Sequence, residues 1–304
     1  MFPGQGSQAV GMGCDLCASD DLMRETYAEA SAALGYDLEG MCRDGTGQLL
    51  ARTDITQPAL LADSVGILRL LRREGLRFAV AMGHSLGEYS ALVATGAVSF
   101  GDALRLVRRR GEEMLATAAA NPGGMAAVLG LGDEQVEELC AGVEGAWPAN
   151  FNGPGQVVVS GTRAGLDALA EAAMAAGAKR VLPLAVSGAF HSPLVASAQA
   201  PLRAELQATR WRTPDPLFYS VSSLSFERDG FAELLSQQLV RPVRFTQAVN
   251  ALREAGYDAF LEVGSGTVLS GLVRRIAPQA TVAGVSGTET LDRLRQDGRY
   301  LEDA

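Results

Sequence analysis

Histidine and lysine are nearly missing from this 304-residue chain. It holds two histidines, and Lys179 is the only lysine among 26 basic residues. Any imidazole that exchanges a proton near neutral pH is therefore His84 or His191. Cysteine is sparse as well, at Cys14, Cys17, Cys42 and Cys140. Cys14 and Cys17 form a C-x-x-C, but no second pair completes a zinc site. The pair also follows a Gly-rich turn, where a redox motif would follow a strand. No metal is expected, and all four cysteines are expected to be reduced thiols. No apolar run is long enough to cross a bilayer, and no charged leader precedes an apolar segment. A cytoplasmic protein with no membrane partner is the expectation. The net charge of -9 argues against nucleic acid as the main partner. Positive charge gathers locally at Arg72 and Arg73, Arg108 to Arg110, and Arg274 and Arg275. Each cluster is either a docking patch for an acidic protein or a solvated helix face.

What is present is the composition of a globular protein, with 47 % hydrophobic and 20 % charged residues in a length that allows two lobes. Arg77 to Met82 reads as a short buried strand. Gly83 to Gly87 makes a sharp turn, and Glu88 to Thr95 continues as a helix. Gln57 to Glu74 carries Leu60, Leu61, Val65, Leu68 and Leu71 on one helical face. Asp102 to Ala119 predicts a second helix with Asp102 as N-cap. Helix, strand and helix in succession indicate an α/β core with parallel strands.

The pattern changes near Gly123. Met125 to Gly130 predicts a strand and Asp133 caps a helix to Ala141. Trp147 to Asn152 and Gln156 to Ser160 are strands around the turn Gly153-Pro-Gly155. Thr162 caps a helix to Ala176, and Lys179 to Leu184 is the last strand. The order βαββαβ is the ferredoxin-like unit. Alternation then resumes: strands over Pro216 to Val221 and Ala259 to Val263, helices over Phe231 to Val240, Phe245 to Ala255, and from Gly266 to Ile276. The expected fold class is α/β, with a large domain of residues 1–121 and 187–304 interrupted by a small domain of residues 122–186. A cleft between the two is the expected ligand site.

Gly83-His84-Ser85-Leu86-Gly87 matches G-x-S-x-G, the nucleophile elbow, in its required setting between strand and helix. The turn would project the Ser85 hydroxyl into a cleft at a helix N-terminus, where free amides can hold an oxyanion. An ordinary strand-to-helix turn is the alternative. A serine nucleophile needs a base. His84 adjoins Ser85 and should point away, which leaves His191, just after the inserted unit, with a satisfied loop histidine as its alternative. Gly4-Gln-Gly-Ser-Gln-Ala9 fits a loose dinucleotide pattern, but only Met1-Phe2-Pro3 precede it, where the fingerprint requires a buried strand. The loop more naturally supplies a backbone N–H to the site.

Together these residues resemble the malonyl-CoA:acyl-carrier-protein transacylase family, including the acyltransferase domains of polyketide synthases. Phe2-Pro-Gly-Gln-Gly-Ser-Gln8, Thr56-Gln-Pro-Ala59, Gly83 to Glu88, Asn150-Phe-Asn-Gly-Pro-Gly-Gln156 and Glu262-Val-Gly-Ser-Gly266 match its motifs in order over nearly the whole chain. The resemblance implies an α/β-hydrolase-like domain with a ferredoxin-like insertion. It implies malonyl-CoA and an acyl carrier protein as partners, a monomer, and no cofactor beyond the carrier's phosphopantetheine. Ser85 would carry the acyl group and His191 would act as base, then acid. The amides of Gln5 and Leu86 would form the oxyanion hole. Gln238 would orient the histidine through its carbonyl, so that no Asp is required. Arg110 would pair with the malonyl carboxylate, a task that suits a planar guanidinium. Asn152 would line the pocket; for it and Asn150, on the same strand face, turn capping is an equal alternative.

Two departures stand out. The family usually has a full strand before the N-terminal motif, whereas this chain starts at Met1. Residues Ala189-Phe190-His191 resemble malonyl-selective polyketide acyltransferases, in which Phe190 would fill the space of an α-methyl group. An acyl hydrolase on the same scaffold shares Ser85 and His191 and is the rival reading; a non-catalytic carrier- or dinucleotide-binding module is the second.

Overall fold

The structure is a computed structural model, and it describes residues 1–301. Four helices open the chain: α1 (Cys14–Ser19), α2 (Asp21–Leu34), α3 (Leu38–Asp44) and α4 (Gly47–Leu50). They lead into α5 (Thr53–Arg73), most of whose side chains are buried. Next come β1 (Val80–Ala81), α6 (Gly87–Ala94) and α7 (Phe100–Ala120). On α7 the buried positions Ala103, Val107, Arg110, Met114 and Thr117 recur at the spacing of a single helical face. Arg110 thus occupies a place in an apolar stripe.

Residues 124 to 183 form β2 (Gly124–Leu129), α8 (Asp133–Gly142), β3 (Ala146–Gly153), β4 (Gln156–Gly161), α9 (Arg163–Ala175) and β5 (Arg180–Pro183). The strands lie in the antiparallel order β3-β4-β2-β5, the ferredoxin-like arrangement read from the sequence. Val128, Phe151, Val157, Val159, Leu169 and Ala173 make a core of their own beneath the two helices. The opposite face contributes Met125, Ala127, Ala149 and Val158 to the main core, so the small lobe is apolar on both faces of its sheet.

After a 3₁₀ turn at Pro193–Ala198 come α10 (Gln199–Ala208), β6 (Leu217–Ser220), β7 (Ser225–Glu227), α11 (Phe231–Gln238), α12 (Phe245–Glu254), β8 (Ala259–Val263), α13 (Val268–Ile276), β9 (Thr281–Val285) and α14 (Thr288–Asp297). β1 pairs with β6 in parallel and β8 with β9 in parallel. Met1 and Phe2 stand between the two pairs. The Val263 amide donates to the Met1 carbonyl at 2.9 Å, the Phe2 amide to Met82 at 3.0 Å, and the His84 amide to Phe2 at 3.0 Å. Two residues therefore hold the strand position that ends at the Gly4 loop. Glu262, at the end of β8 and fully buried, accepts from the Leu269 and Ser270 amides at 3.0 and 2.7 Å. Its carboxylate satisfies free donors in the first turn of α13. No helix among the described residues is long and apolar enough to cross a membrane.

Several local expectations shift. The helix expected from Gln57 starts at Thr53, and the strand expected over Arg77 to Met82 is regular only at Val80–Ala81. Asp102 is not the N-cap of α7. Ser99 is, its hydroxyl accepting from the Asp102 amide at 3.1 Å, while Asp102 lies in the first turn. Likewise Asp133 is the first residue of α8, after Gly132. An acidic residue in the first turn gains from the helix dipole much as a cap does, so sequence pattern alone confuses the two positions. Thr162 does cap α9, accepting from Gly165 at 3.0 Å. Ser99→Ala should lower stability by about 1 kcal/mol. Asp102→Ala should cost less, ~0.3–1 kcal/mol, because it removes the carboxylate that accepts from the Ser99 hydroxyl at 2.6 Å but leaves that hydroxyl able to accept from the amide of residue 102. Urea unfolding of the two variants checks the ranking.

Candidate active site

Ser85 sits in the turn from β1 to α6 with φ +51°. Such a backbone is uncommon outside glycine and costs on the order of 1–3 kcal/mol unless its surroundings impose it. They do so by close contact. A Cβ on Gly83 would lie 1.9 Å from the Gly87 carbonyl carbon, and one on Gly87 would lie 2.1 Å from the Phe2 carbonyl oxygen. Both glycines of the motif are thus spatial requirements, and the turn closes against the N-terminal strand position.

The Ser85 hydroxyl is 2.8 Å from His191 Nε2. His191 lies in the loop after β5, also at positive φ, +57°. Ser160 of β4 donates its hydroxyl to the Phe190 carbonyl, and Ser192 donates to Ala189 at 2.6 Å. The first bond ties the loop to the small lobe and the second closes the loop on itself. On its other side, His191 Nδ1 is 3.0 Å from the Gln238 carbonyl oxygen and 3.1 Å from that of Arg241. Carbonyls only accept, so Nδ1 carries the hydrogen and the Nε2 lone pair faces Ser85. The orientation expected from Gln238 is present, and Arg241, which sequence reasoning did not find, shares it. Burial, and then the nearby Arg110 charge, push the His191 pKa down to about 3. The imidazole is neutral at physiological pH and free to take a proton.

Arg110 is 1 % exposed. Its Nη2 is 3.1 Å from Ser85 Oγ and 3.1 Å from Gln238 Oε1, and its Nη1 is 2.9 Å from Gln57 Oε1. Its Nε has no partner, and no carboxylate pairs with it among the described residues. Its neighbours on α7 differ: Arg108 pairs with Glu112, and Arg109 with Glu113. Arg73 pairs with Asp20, and Arg72 donates to the Ala94 carbonyl at 2.5 Å and stacks over Phe78. Of the three arginine clusters, Arg274 and Arg275 stay exposed, with Arg274 bonded to the Val282 carbonyl.

His84 turns away from Ser85, as expected, and its Nε2 is 2.9 Å from Asn152 Oδ1. A cavity of about 200 Å³ is lined by Gln5, Ser85, Arg110, Asn152, Phe190 and His191, among others. A larger one of about 490 Å³, between β1 and β8, contains none of these side chains. Gln5 lies on the cavity wall and Leu86 follows the nucleophile. Among the described residues neither amide donates to another group of the chain; Gln5 lines the cavity, and Leu86, next to Ser85 in sequence, is buried. Asn150 also lines the cavity. Gln57 and Glu88 belong to the site as well. Both fall inside motifs visible in the sequence, but their partners come from α7 and α11, and no local pattern reveals such pairings.

Residues 1–303 match the family described as "Acyl transferase domain". The chain is 42 % identical over 292 residues to the malonyl CoA-acyl carrier protein transacylase of Escherichia coli (strain K12), covering 94 % of each. Among solved structures it is similar to an acyl carrier protein S-malonyltransferase from Vibrio cholerae, with TM-score 0.93, 40 % identity and 96 % and 98 % of the two chains covered. It is also similar to a malonyl-transacylase solved with its holo type II polyketide-synthase acyl-carrier protein, with TM-score 0.94, 39 % identity and 97 % and 98 % covered.

The low His191 pKa has two consequences. The rate at which a neutral sulfonyl fluoride labels Ser85 should lose its acid limb only well below pH 6.5, the ordinary imidazole value. In Arg110→Ala the limb should move upward, because one cause of the depression is gone. By linkage, the unfolded imidazole binds a proton below about 6.5 while the folded one does not. The contribution of His191 to stability is therefore present above 6.5 and is lost as pH falls toward 3. A labelling limb near 6.5 in the wild type would contradict this account.

Proposed function

This chain belongs to the malonyl-CoA:acyl-carrier-protein transacylase family, and we propose that it moves a malonyl group from malonyl-CoA to the phosphopantetheine thiol of an acyl carrier protein through an ester on Ser85. The observation that carries this is the buried Arg110 guanidinium, 3.1 Å from the Ser85 hydroxyl and without a carboxylate of its own. Leaving a buried cation unpaired is costly. An acyl group that ends in a carboxylate supplies the missing charge at the place where acylation occurs.

In the first half-reaction Ser85 Oγ attacks the thioester carbon as His191 Nε2 takes its proton. The amides of Gln5 and Leu86 receive the oxyanion. Collapse breaks the C–S bond, and His191 returns the proton to the departing sulfur. In the second half the carrier's thiol gives its proton to His191 and attacks the ester, and Ser85 recovers its proton as the C–O bond breaks. No group beyond these side chains and the carrier's own thiol is called on. The substrate carboxylate also relieves the Arg110 field that depresses His191, so the base strengthens once the correct acyl group is bound.

An acyl hydrolase would use the same first half-reaction and differ in what accepts the acyl group. Intact-protein mass spectrometry with malonyl-CoA, followed by a holo carrier protein, separates them. The expected result is an adduct on wild type that is stable in buffer, passes to the carrier, and is absent in Ser85→Ala. Arg110→Ala should lose acylation by malonyl-CoA by about a hundredfold or more, as for one partner of a buried charged pair, ~3–5 kcal/mol at most, and change little with acetyl-CoA. Equal losses would make Arg110 a structural residue.

Phe190 is 5 % exposed, packs in the main core and lines the cavity beside His191. We read its ring as the wall that excludes an α-methyl group, which is the polyketide-like feature of the chain. Overpacking such a wall costs ~1–3 kcal/mol, or about ten- to a hundredfold in kcat/KM for malonyl over methylmalonyl. Phe190→Ser should narrow that preference by admitting methylmalonyl-CoA. If both activities fall together at a constant ratio, Phe190 only packs the junction between the lobes.

A further inference from the structure

Glu88 is a fully buried carboxylate that the proposed reaction does not use. It lies on α6, three residues after the nucleophile. Its Oε1 accepts from the Ser220 hydroxyl at 2.7 Å and the Val221 amide at 2.8 Å, and its Oε2 accepts from Gln238 Nε2. Gln238 is fully buried too. Its Nε2 also donates to the Ser85 carbonyl at 2.9 Å, and its Oε1 accepts from Arg110 Nη2 at 3.1 Å. A single side-chain amide therefore stands between the buried anion and the buried cation. It has its donor end toward Glu88 and its acceptor end toward Arg110. Flipping it would set NH₂ against the guanidinium and a carbonyl oxygen against two others, so the orientation is imposed from both sides.

We propose that Glu88 is the counter-charge of Arg110, held one amide away by Gln238, so that the guanidinium is compensated in the resting protein while its Nη donors meet only neutral acceptors, Gln57, Gln238 and Ser85, which a substrate carboxylate can displace. A carboxylate directly on Arg110 would hold the donors by charge as well as by hydrogen bond and resist displacement by the substrate's carboxylate. With no anion nearby, the buried guanidinium would have only neutral polar partners, the Gln57 and Gln238 amides and the Ser85 hydroxyl. The spacer meets both requirements at once. Its amide passes part of the field of Glu88 to Arg110 by dipole alignment and blocks direct contact. Glu88 is thus a positioning residue, acting on Arg110 through Gln238, and the same amide steadies the Ser85 backbone.

This inference rests on Arg110 as the carboxylate clamp, and its test is an exchange of side chains that keeps net charge and volume. In the double variant Glu88→Gln with Gln238→Glu, the carboxylate moves into direct contact with Arg110 while residue 88 still accepts from Ser220 and Val221. The readout is the ratio of kcat/KM for Ser85 acylation by malonyl-CoA over acetyl-CoA, in which general damage cancels. The ratio should fall at least tenfold in the exchange variant. In Glu88→Gln alone, which disturbs the hydrogen bonds of residue 88 but leaves Arg110 with neutral acceptors only, the ratio should stay level or rise. An unchanged ratio in the exchange variant overturns the proposal. So does a tenfold fall in Glu88→Gln, the variant that decides the matter if the exchange protein does not fold. Arg110→Ala in parallel keeps the two ideas apart. A malonyl-selective loss there with an unchanged ratio in the exchange variant sinks the spacer alone, and no selective loss in Arg110→Ala sinks the clamp and the spacer together.

Discussion

Burying one guanidinium without a carboxylate against it is the constraint to which the centre of this protein answers. Arg110 stands in the apolar stripe of α7, where an aliphatic side chain would be the ordinary choice. Desolvation disfavours its charged form, and the surroundings repay that with directed dipoles. Gln57 and Gln238 give it oxygens, Tyr89 offers a ring face at 5.8 Å, and Glu88 supplies charge from behind Gln238. These come from three elements besides α7 itself, so α5, α6, α7 and α11 must all be in place before the cation is tolerable. Met114 Sδ, one turn along α7, accepts from Gln57 Nε2 at 3.3 Å and holds that amide the right way round. The residual imbalance is small enough to fold and large enough to favour an anionic acyl group.

The Ser85–His191 pair is organised without an acid. In the familiar triad a carboxylate fixes the tautomer of the histidine and stabilises the imidazolium that forms. Here the carbonyls of Gln238 and Arg241 do the first task, and the second falls to their partial charges alone. Burial makes the base weak in the resting state, and the Arg110 charge depresses it further. A substrate that neutralises Arg110 removes part of that depression. On the proposed role of Arg110, selectivity for a carboxylate-bearing acyl group and activation of the nucleophile are one electrostatic event.

How far the sequence discloses this differs from element to element. The boundaries of β8, of the strands in the small lobe and of α9 were legible, because each carries a strong period or a cap with a single candidate. The four helices between Cys14 and Leu50 were not read at all. α1, α3 and α4 are short, at six, seven and four residues, so their local patterns are weak; the longer α2 packs against α5 and α7. β9 and α14 were not legible either. Glu262 shows the intermediate case. Its motif was plain, but its work at the start of α13 depends on a turn that brings residues 269 and 270 back over it.

By itself the sequence narrowed the candidate chemistry to one serine and one of two histidines. Gly83 and Gly87 on either side of Ser85 are local facts, and so is the scarcity of imidazole. Only the tertiary structure decided what those groups would experience. The pKa of His191, the neutral acceptors around Arg110 and the orientation of the Gln238 amide are set by neighbours tens to hundreds of residues away. Electrostatic fields and hydrogen bonds fall off over a few ångströms in space and take no account of distance along the chain, so a linear pattern can name the reacting groups but not the environment that makes them react.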